Sequence, residues 1–227
     1  SMTPEQIHAL GLTEVARITD GFKGVQQEVG FKGTLPQFFD YMRTEPKFQP
    51  KSRVQMAADF HAIQARVETQ LPSLFSIMPK AKLAIRPYDP TIEKFQAGGS
   101  YEQGTPDGSR PGTFYYNAYD LPSRSTWEDT TLFLHEGEPG HHFQISLAQE
   151  NEALPSFMRF GGNTAYAEGW ALYSETLGYD MGFYKDPYAR FGTLNDEMLR
   201  AMRLVVDTGI HNEGWGRDQA IKYMLDN

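Results

Sequence analysis

The segment "LFLHEGEPGHHFQ", Leu132 to Gln144, contains three of the six histidines of the chain and predicts a break in a helix. His135 is followed directly by Glu136, as in zinc-binding helices whose two histidines are four residues apart on one face. Pro139 stands where the second histidine of such a helix would lie. The segment can therefore form a metal site only if the chain departs from a continuous helix after Glu136.

The pair His141 and His142 follows this proline. On a straight helix His141 would lie roughly 240° around from His135, and His142 would lie roughly 10 Å further along the axis. Neither imidazole could then share one ion with His135 at bonds of about 2 Å. Because Pro139 has no N–H for the carbonyl of His135, the helix should break between Gly137 and Gly140 and bring a later histidine back. The spacing leaves open which histidine returns, and an ordinary helix-loop-helix corner is the alternative.

A third ligand is available downstream. The 227-residue chain has no cysteine, so His, Asp or Glu must hold any metal, and imidazole with carboxylate suits zinc. Glu168 lies in the predicted helix "AYAEGWALYSE", and Glu175 follows on the same face, where it could orient a ligating histidine. The alternative is that Glu168 is a first-turn glutamate that interacts with the helix dipole.

Composition excludes several classes of partner. The chain has 21 basic and 29 acidic residues, which gives a net charge of −8, and it has no basic stripe. This charge distribution argues against nucleic acid or an anionic membrane as the main partner. No apolar run approaches the ~20 residues of a membrane span. We expect a soluble protein, cytoplasmic or exported to the periplasm; the sequence predicts no oligomeric state.

The pattern of elements predicts an α+β fold that is predominantly helical, with a small β-sheet packed among helices. Residues 1–70 are predicted to be helical: Thr3-Pro4-Glu5 marks a helix start, a helix from Leu12 to Val29 follows, and Ser52 caps a later one. Residues 71–122 gain Pro, Gly and Tyr, and "KLAIRPY" and "GTFYYNAY" predict strands. Residues 123–227 return to helices and contain the metal-site region. We expect one domain over residues 1–227.

Helix boundaries in the last region follow from capping residues. Ser125 with Glu128 matches a capping box and predicts a helix that begins there and continues into His135. Asn163 is a candidate cap for the helix of Glu168, and Gly178 a candidate C-terminal stop.

The segments "HEGEPGHHFQ", "AYAEGWALYSETLG" and "RLVVDTGIHNEGWGRDQAIKYM" together resemble the bacterial domain-of-unknown-function family 885, as do "TPEQIHALGL" and "DGSRPGTFYYN". Its members are longer on both sides, so we expect this chain to be part of a longer protein. The family resembles gluzincin metallopeptidases, and the resemblance implies a zincin-like catalytic core that binds Zn2+ and hydrolyses peptides.

The resemblance also implies roles for individual residues. His135, His141 and Glu168 would be the metal ligands, and Glu136 the general base toward a metal-activated water. His141 is preferred over His142 because it follows Gly140, as the second ligand follows glycine in the related peptidases.

Further residues are candidates for substrate contacts. Asn117, in the strand segment before the metal helix, would bind the substrate backbone along a strand edge; a turn-forming asparagine is the alternative. Arg203, Asp207 and His211 are spaced by four on a predicted helix. The resemblance favours Asp207 orienting His211 to stabilise the oxyanion, with Arg203 as a substrate contact; a surface salt bridge is the alternative, and Tyr223 is a second candidate for the part of His211.

The resulting hypothesis is zinc-dependent hydrolysis of peptides. Two alternatives stay open: a non-catalytic peptide- or ligand-binding protein with a structural metal site, and a metal-dependent hydrolase of another amide or ester.

Overall fold

The computed structural model describes residues 2–227. The helices are α1 Pro4–Glu28, α2 Leu35–Thr44, α3 Arg53–Leu74, α4 Asp129–Glu136, α5 His141–Glu150, α6 Ser156–Phe160, α7 Thr164–Asp180, α8 Pro187–His211 and α9 Arg217–Asp226. The strands are β1 Leu83–Pro87, β2 Gly99–Glu102 and β3 Gly112–Tyr116. The predicted α+β class, predominantly helical with a small sheet, is confirmed. None of the helices in residues 2–227 combines the length and apolarity that crossing a membrane requires.

The Cα positions group into two compact units. The first consists of residues 2–41 with Arg190–Asn227, and the second of Met42–Ala189. The assignment of residues 1–227 to one domain stays a prediction.

Helix α1 lies in the first unit and begins at Pro4, so the predicted helix start at Thr3-Pro4-Glu5 is confirmed; from there it continues without a break through the helix predicted from Leu12 to Val29. Thr3 caps its first turn by accepting from the backbone N–H of Gln6. Its apolar face is fully buried and consists of Val15, Ile18, Phe22 and Val25. The Phe22 ring packs 5.0 Å from that of Phe191 on α8.

The sheet lies in the second unit and has the strand order β1-β3-β2. Strand β3 pairs in parallel with β1 and antiparallel with β2, so both of its edges are hydrogen bonded. The expectation that the segment "GTFYYNAY" offers a free strand edge is therefore wrong. Strand β2 was not predicted, because "GSYE" is too short and too polar to show an alternating pattern.

The core of the second unit forms where the sheet meets α3, α4 and α5. Phe114 on β3 contacts Phe60 of α3 and Phe133 of α4, with ring centroids 5.1 and 5.9 Å away. Phe143 of α5 is also fully buried. The core thereby fixes α4, the helix that ends in the His-Glu pair.

Two predicted helix boundaries are wrong. Helix α4 starts at Asp129, because the chain around Ser125 forms a turn in which Glu128 donates to the Ser125 carbonyl and makes no side-chain cap. Helix α7 continues past Gly178 to Asp180. A Cβ at Gly178 would lie 2.5 Å from the Tyr184 ring, so this glycine permits close packing rather than ending the helix.

Candidate metal centre

The predicted break between Gly137 and Gly140 is confirmed. Helix α4 ends at Glu136, α5 begins at His141, and the Glu138–Pro139 peptide bond is cis. A Cβ at Gly140 would lie 1.9 Å from the carbonyl oxygen of His135. Only glycine permits this approach of the returning chain to the end of α4.

Replacement of Gly140 tests whether the break between α4 and α5 requires glycine at this position. We expect Gly140→Ala to lower the free energy of unfolding by at least about 3 kcal/mol, the upper end for overpacked sites, because the clash is with backbone. Urea unfolding measures the change. Gly98→Ala is the control, since a Cβ there would meet nothing within 4 Å. Equal losses for the two variants would contradict this account of the break.

The break brings His135, His141 and Glu168 together. One candidate ligand atom from each lies within 4.8 Å of the others. The Nε2 atom of His135 is 3.3 Å from Oε2 of Glu168, and Nε2 of His141 is 3.7 Å from Oε1 of the same carboxylate. Two imidazole nitrogens and one carboxylate that converge in this way form a donor set that fits zinc.

The cluster is buried on one side and open on the other. His135 and His141 are 6% and 9% exposed, whereas the Glu168 side chain is 55% exposed. Glu168 lies in the first turns of α7, which Asn163 caps by accepting from the N–H of Tyr166, as predicted. A small molecule can therefore approach the cluster from the side of Glu168.

Glu175 lies behind His135. It is 1% exposed, and its Oε1 atom is 2.7 Å from Nδ1 of His135. A carboxylate accepts from an N–H, so this contact favours the tautomer of His135 with its proton on Nδ1, which leaves Nε2 as the nitrogen available to a metal. This is the orienting contact predicted for Glu175.

Neutralising Glu175 should weaken metal binding without removing a ligand. We expect Glu175→Gln to lower zinc affinity by about 10- to 100-fold, the range for residues that hold a metal-ligating histidine. Competition with a chromophoric chelator measures it, and Asp180→Asn on the same helix is the control. An unchanged affinity in Glu175→Gln would show that the contact does not serve the metal.

Glu136 lies beside the cluster and outside its ligand set. Its Oε2 atom is 3.9 Å from Nε2 of His141, and its side chain is 14% exposed. It is the last residue of α4 and directly follows His135, so the end of this helix places both side chains at the cluster. The carboxylate is placed to exchange a proton with a molecule bound at the cluster.

His142 is turned away from the cluster, and both its nitrogens are used. Its Nε2 donates to the carbonyl of Ala81 at 3.1 Å, and its Nδ1 accepts from the Tyr101 hydroxyl at 3.0 Å. Burial lowers the pKa of His142 to about 4, so the imidazole is neutral at pH 7. Of the two adjacent histidines, His141 is the one in the cluster. No pattern in the sequence indicated Tyr101.

Glu138 is the other buried polar residue of the break. Burial raises its pKa to about 7, with Glu68 adding to the rise and Lys82 opposing it. Its Oε1 atom lies 3.8 Å from Nε2 of His142. Glu138 therefore belongs to the surroundings of His142.

Asn117 does not meet the expectation of a substrate contact. It is 1% exposed, and its Nδ2 group donates to the carbonyls of Glu93, Gln96 and Ala97. Its Oδ1 accepts from the backbone N–H of Tyr119. The buried amide stabilises the turn after β3, which is the alternative interpretation of this residue.

The remaining predicted site residues lie in the first unit. His211 ends α8, with its Nε2 3.7 Å from Oδ1 of Asp207, and both side chains are 74% exposed. Arg203 lies on the same helix, and the Tyr223 ring of α9 packs 5.7 Å from Trp215. The catalytic role of His211 and the substrate-binding role of Arg203 stay predictions.

The chain belongs to the family described as bacterial protein of unknown function (DUF885), which matches residues 1–227. No curated protein matches it. The chain is similar to a protein from Colwellia psychrerythraea described as a candidate lipoprotein, with 36% identity and a TM-score of 0.92 over 99% of this chain and 39% of that one. A candidate lipoprotein of unknown function from Shewanella oneidensis shares the fold, with 20% identity and a TM-score of 0.73 over 100% and 43% of the two chains. The chain thus spans about two fifths of the length of these relatives.

Proposed function

We propose that this chain carries the metal site of a zinc-dependent peptide hydrolase of the gluzincin type. The observation that supports this most strongly is the convergence of His135, His141 and Glu168, with Glu136 beside them. Three protein ligands leave one coordination position open, which is typical of catalytic rather than structural zinc sites. The exposure of Glu168 agrees with a site that admits a substrate.

The zinc ion, Glu136 and Glu175 would each have a separate role in the reaction. Zinc bound here would supply a Lewis acid that polarises a carbonyl and lowers the pKa of water. Glu136 accepts a proton from the attacking water as the C–O bond to the amide carbon forms, and it then donates that proton to the amine nitrogen as the C–N bond breaks. Glu175 keeps His135 in the tautomer that offers Nε2. Every residue in this scheme belongs to the second unit.

Metal analysis and a substrate panel test the proposal. We expect the protein purified without chelators to contain one zinc per chain and to cleave short peptides rather than esters. The measurement is made on this chain and, in parallel, on a full-length relative with the same residues, because the relatives are longer. Zinc with peptide binding but no cleavage in either protein would favour the non-catalytic alternative, and cleavage of esters or other amides alone would favour the other hydrolase.

The descriptions of the two relatives bear on location. Both are candidate lipoproteins, which favours an exported protein for this chain as well. Fractionation of cells that express the full-length protein tests this, and recovery with the cytoplasm would contradict it.

A further inference from the structure

Helix α5 presents a row of three buried polar side chains. His142, Ser146 and Gln149 are 0%, 3% and 3% exposed. Their spacing of four and three residues places them on one face of the helix. We refer to His142, Ser146 and Gln149 as the polar row.

The polar row is paired with β2 and the residue that follows it. The Tyr101 hydroxyl donates to Nδ1 of His142 at 3.0 Å, and Gln149 donates through Nε2 to Oε1 of Gln103 at 2.9 Å. His142 and Gln149, at the two ends of the row, therefore have specific partners on the segment from Tyr101 to Gln103.

The chain leaves space for this contact. A Cβ at Gly112 would lie 2.4 Å from the Tyr101 hydroxyl oxygen and 2.7 Å from Nδ1 of His142. Gly112 begins β3, which pairs with β2, so the sheet itself holds Tyr101 in place. The Tyr101 hydroxyl and the His142 imidazole therefore occupy the space that a side chain at position 112 would fill.

These contacts determine how α5 can rotate. The contacts of the helix with the core are apolar: Phe143 packs 5.0 Å from Phe75, and Leu147 packs against the same cluster. Apolar contacts have no preferred direction, whereas hydrogen bonds weaken steeply when they are bent, and a buried polar group without a partner costs about 1–3 kcal/mol. A rotation of α5 would therefore break the hydrogen bond between Tyr101 and His142. His141 precedes His142 and lies about 100° around the helix, so the same rotation would move its imidazole away from Glu168.

We propose that the polar row, through Tyr101, is a positioning device that sets the rotation of α5 and so holds His141 at the metal centre. This inference rests on the proposed function, because it assigns to His142 the placement of a neighbouring ligand. In this account His142 and Tyr101 are positioning residues and contact neither metal nor substrate.

Tyr101→Phe is the direct test, because it removes one hydroxyl and keeps the ring. We expect zinc affinity to fall about tenfold, the lower end of the range for residues that orient ligands, in competition with a chelator. In the Co2+-substituted protein the visible absorption should lose intensity and shift. In the metal-free protein the imidazole NMR signals of His141 should move, since the ring changes its surroundings.

Tyr88→Phe is the matched control. Tyr88 is buried, and its hydroxyl donates at 2.7 Å to Ser100, the residue before Tyr101 in β2, but this bond does not involve α5. We expect a similar drop in thermal stability with unchanged zinc affinity, cobalt spectrum and His141 signals. If Tyr101→Phe behaves in the same way as Tyr88→Phe, the proposal is overturned and the polar row is only structural.

Gln103→Ala serves as a milder second variant in case Tyr101→Phe does not fold, because Gln103 is exposed and its loss removes the partner of Gln149; it should move the same signals in the same direction. Unchanged His141 signals in a folded Gln103→Ala protein would count against the proposal. The imidazole signals are read without metal, so this test separates the two ideas. A wild type that binds no zinc contradicts the proposed function, whereas His141 signals that do not respond contradict the positioning role.

Discussion

Replacement of Glu136 by Gln should reduce peptide cleavage by roughly 10²- to 10⁴-fold, the usual contribution of general acid–base catalysis. The amide has nearly the shape of the carboxylate but cannot accept the proton of the attacking water. Because Glu136 lies outside the ligand set, with its Oε2 3.9 Å from Nε2 of His141, zinc content should stay at the wild-type value. Turnover is measured with fluorogenic peptides, and zinc by elemental analysis of the same samples.

Glu152→Gln is the control for this change. Glu152 is exposed in the turn after α5, so the same loss of charge should leave cleavage unaffected. Wild-type turnover in Glu136→Gln would exclude the general-base role. Loss of zinc together with activity would instead place Glu136 among the ligands.

Replacement of Glu168 by Ala should nearly abolish zinc binding. It removes one of the three ligands, so the loss of affinity should exceed the about 100-fold at the upper end for residues that only orient ligands. The side chain is 55% exposed, so the metal-free protein should unfold at nearly the same temperature as the wild type. Isothermal titration with Zn2+ and thermal unfolding with chelator present separate these two effects.

Asp180→Ala provides the comparison on the same helix. Asp180 is also exposed, and it lies about 18 Å from Glu168 at 1.5 Å of rise per residue. Zinc affinity should be unchanged in Asp180→Ala. Equal affinities for Glu168→Ala and the wild type would remove Glu168 from the centre and leave only two protein ligands.

The sequence predicted the break in the metal helix because the reasons are local. Pro139 cannot continue the hydrogen bonding of α4, and Gly137 and Gly140 permit the turn. The structure adds why Gly140 is required, since the carbonyl of His135 occupies the place of its Cβ. Local chemistry therefore predicted where the helix breaks, whereas the close approach of Gly140 to the His135 carbonyl is visible only in the fold.

The choice between His141 and His142 could not be made from spacing. It depends on Ala81 and Tyr101, which are distant in sequence and meet His142 only when β2 and the chain before β1 come together. The same holds for Asn117, whose partners lie in the loop before β2. The positions of His142 and Asn117 depend on contacts between segments that are distant in the chain, and a single sequence does not predict such contacts.

Glu175 shows the opposite case. Its spacing of seven residues from Glu168 placed both on one face of α7, and the structure puts one on each side of the His135 imidazole. Helical periodicity was sufficient because both residues lie on one regular helix that packs against α4.

Anomalous X-ray diffraction at the zinc absorption edge tests most directly whether His135, His141 and Glu168 hold a zinc ion. Crystals of protein purified without chelators should show one strong peak about 2.0–2.2 Å from Nε2 of His135, Nε2 of His141 and a carboxylate oxygen of Glu168. No peak at these residues in crystals soaked in zinc, or a peak on His142 instead of His141, would contradict the account.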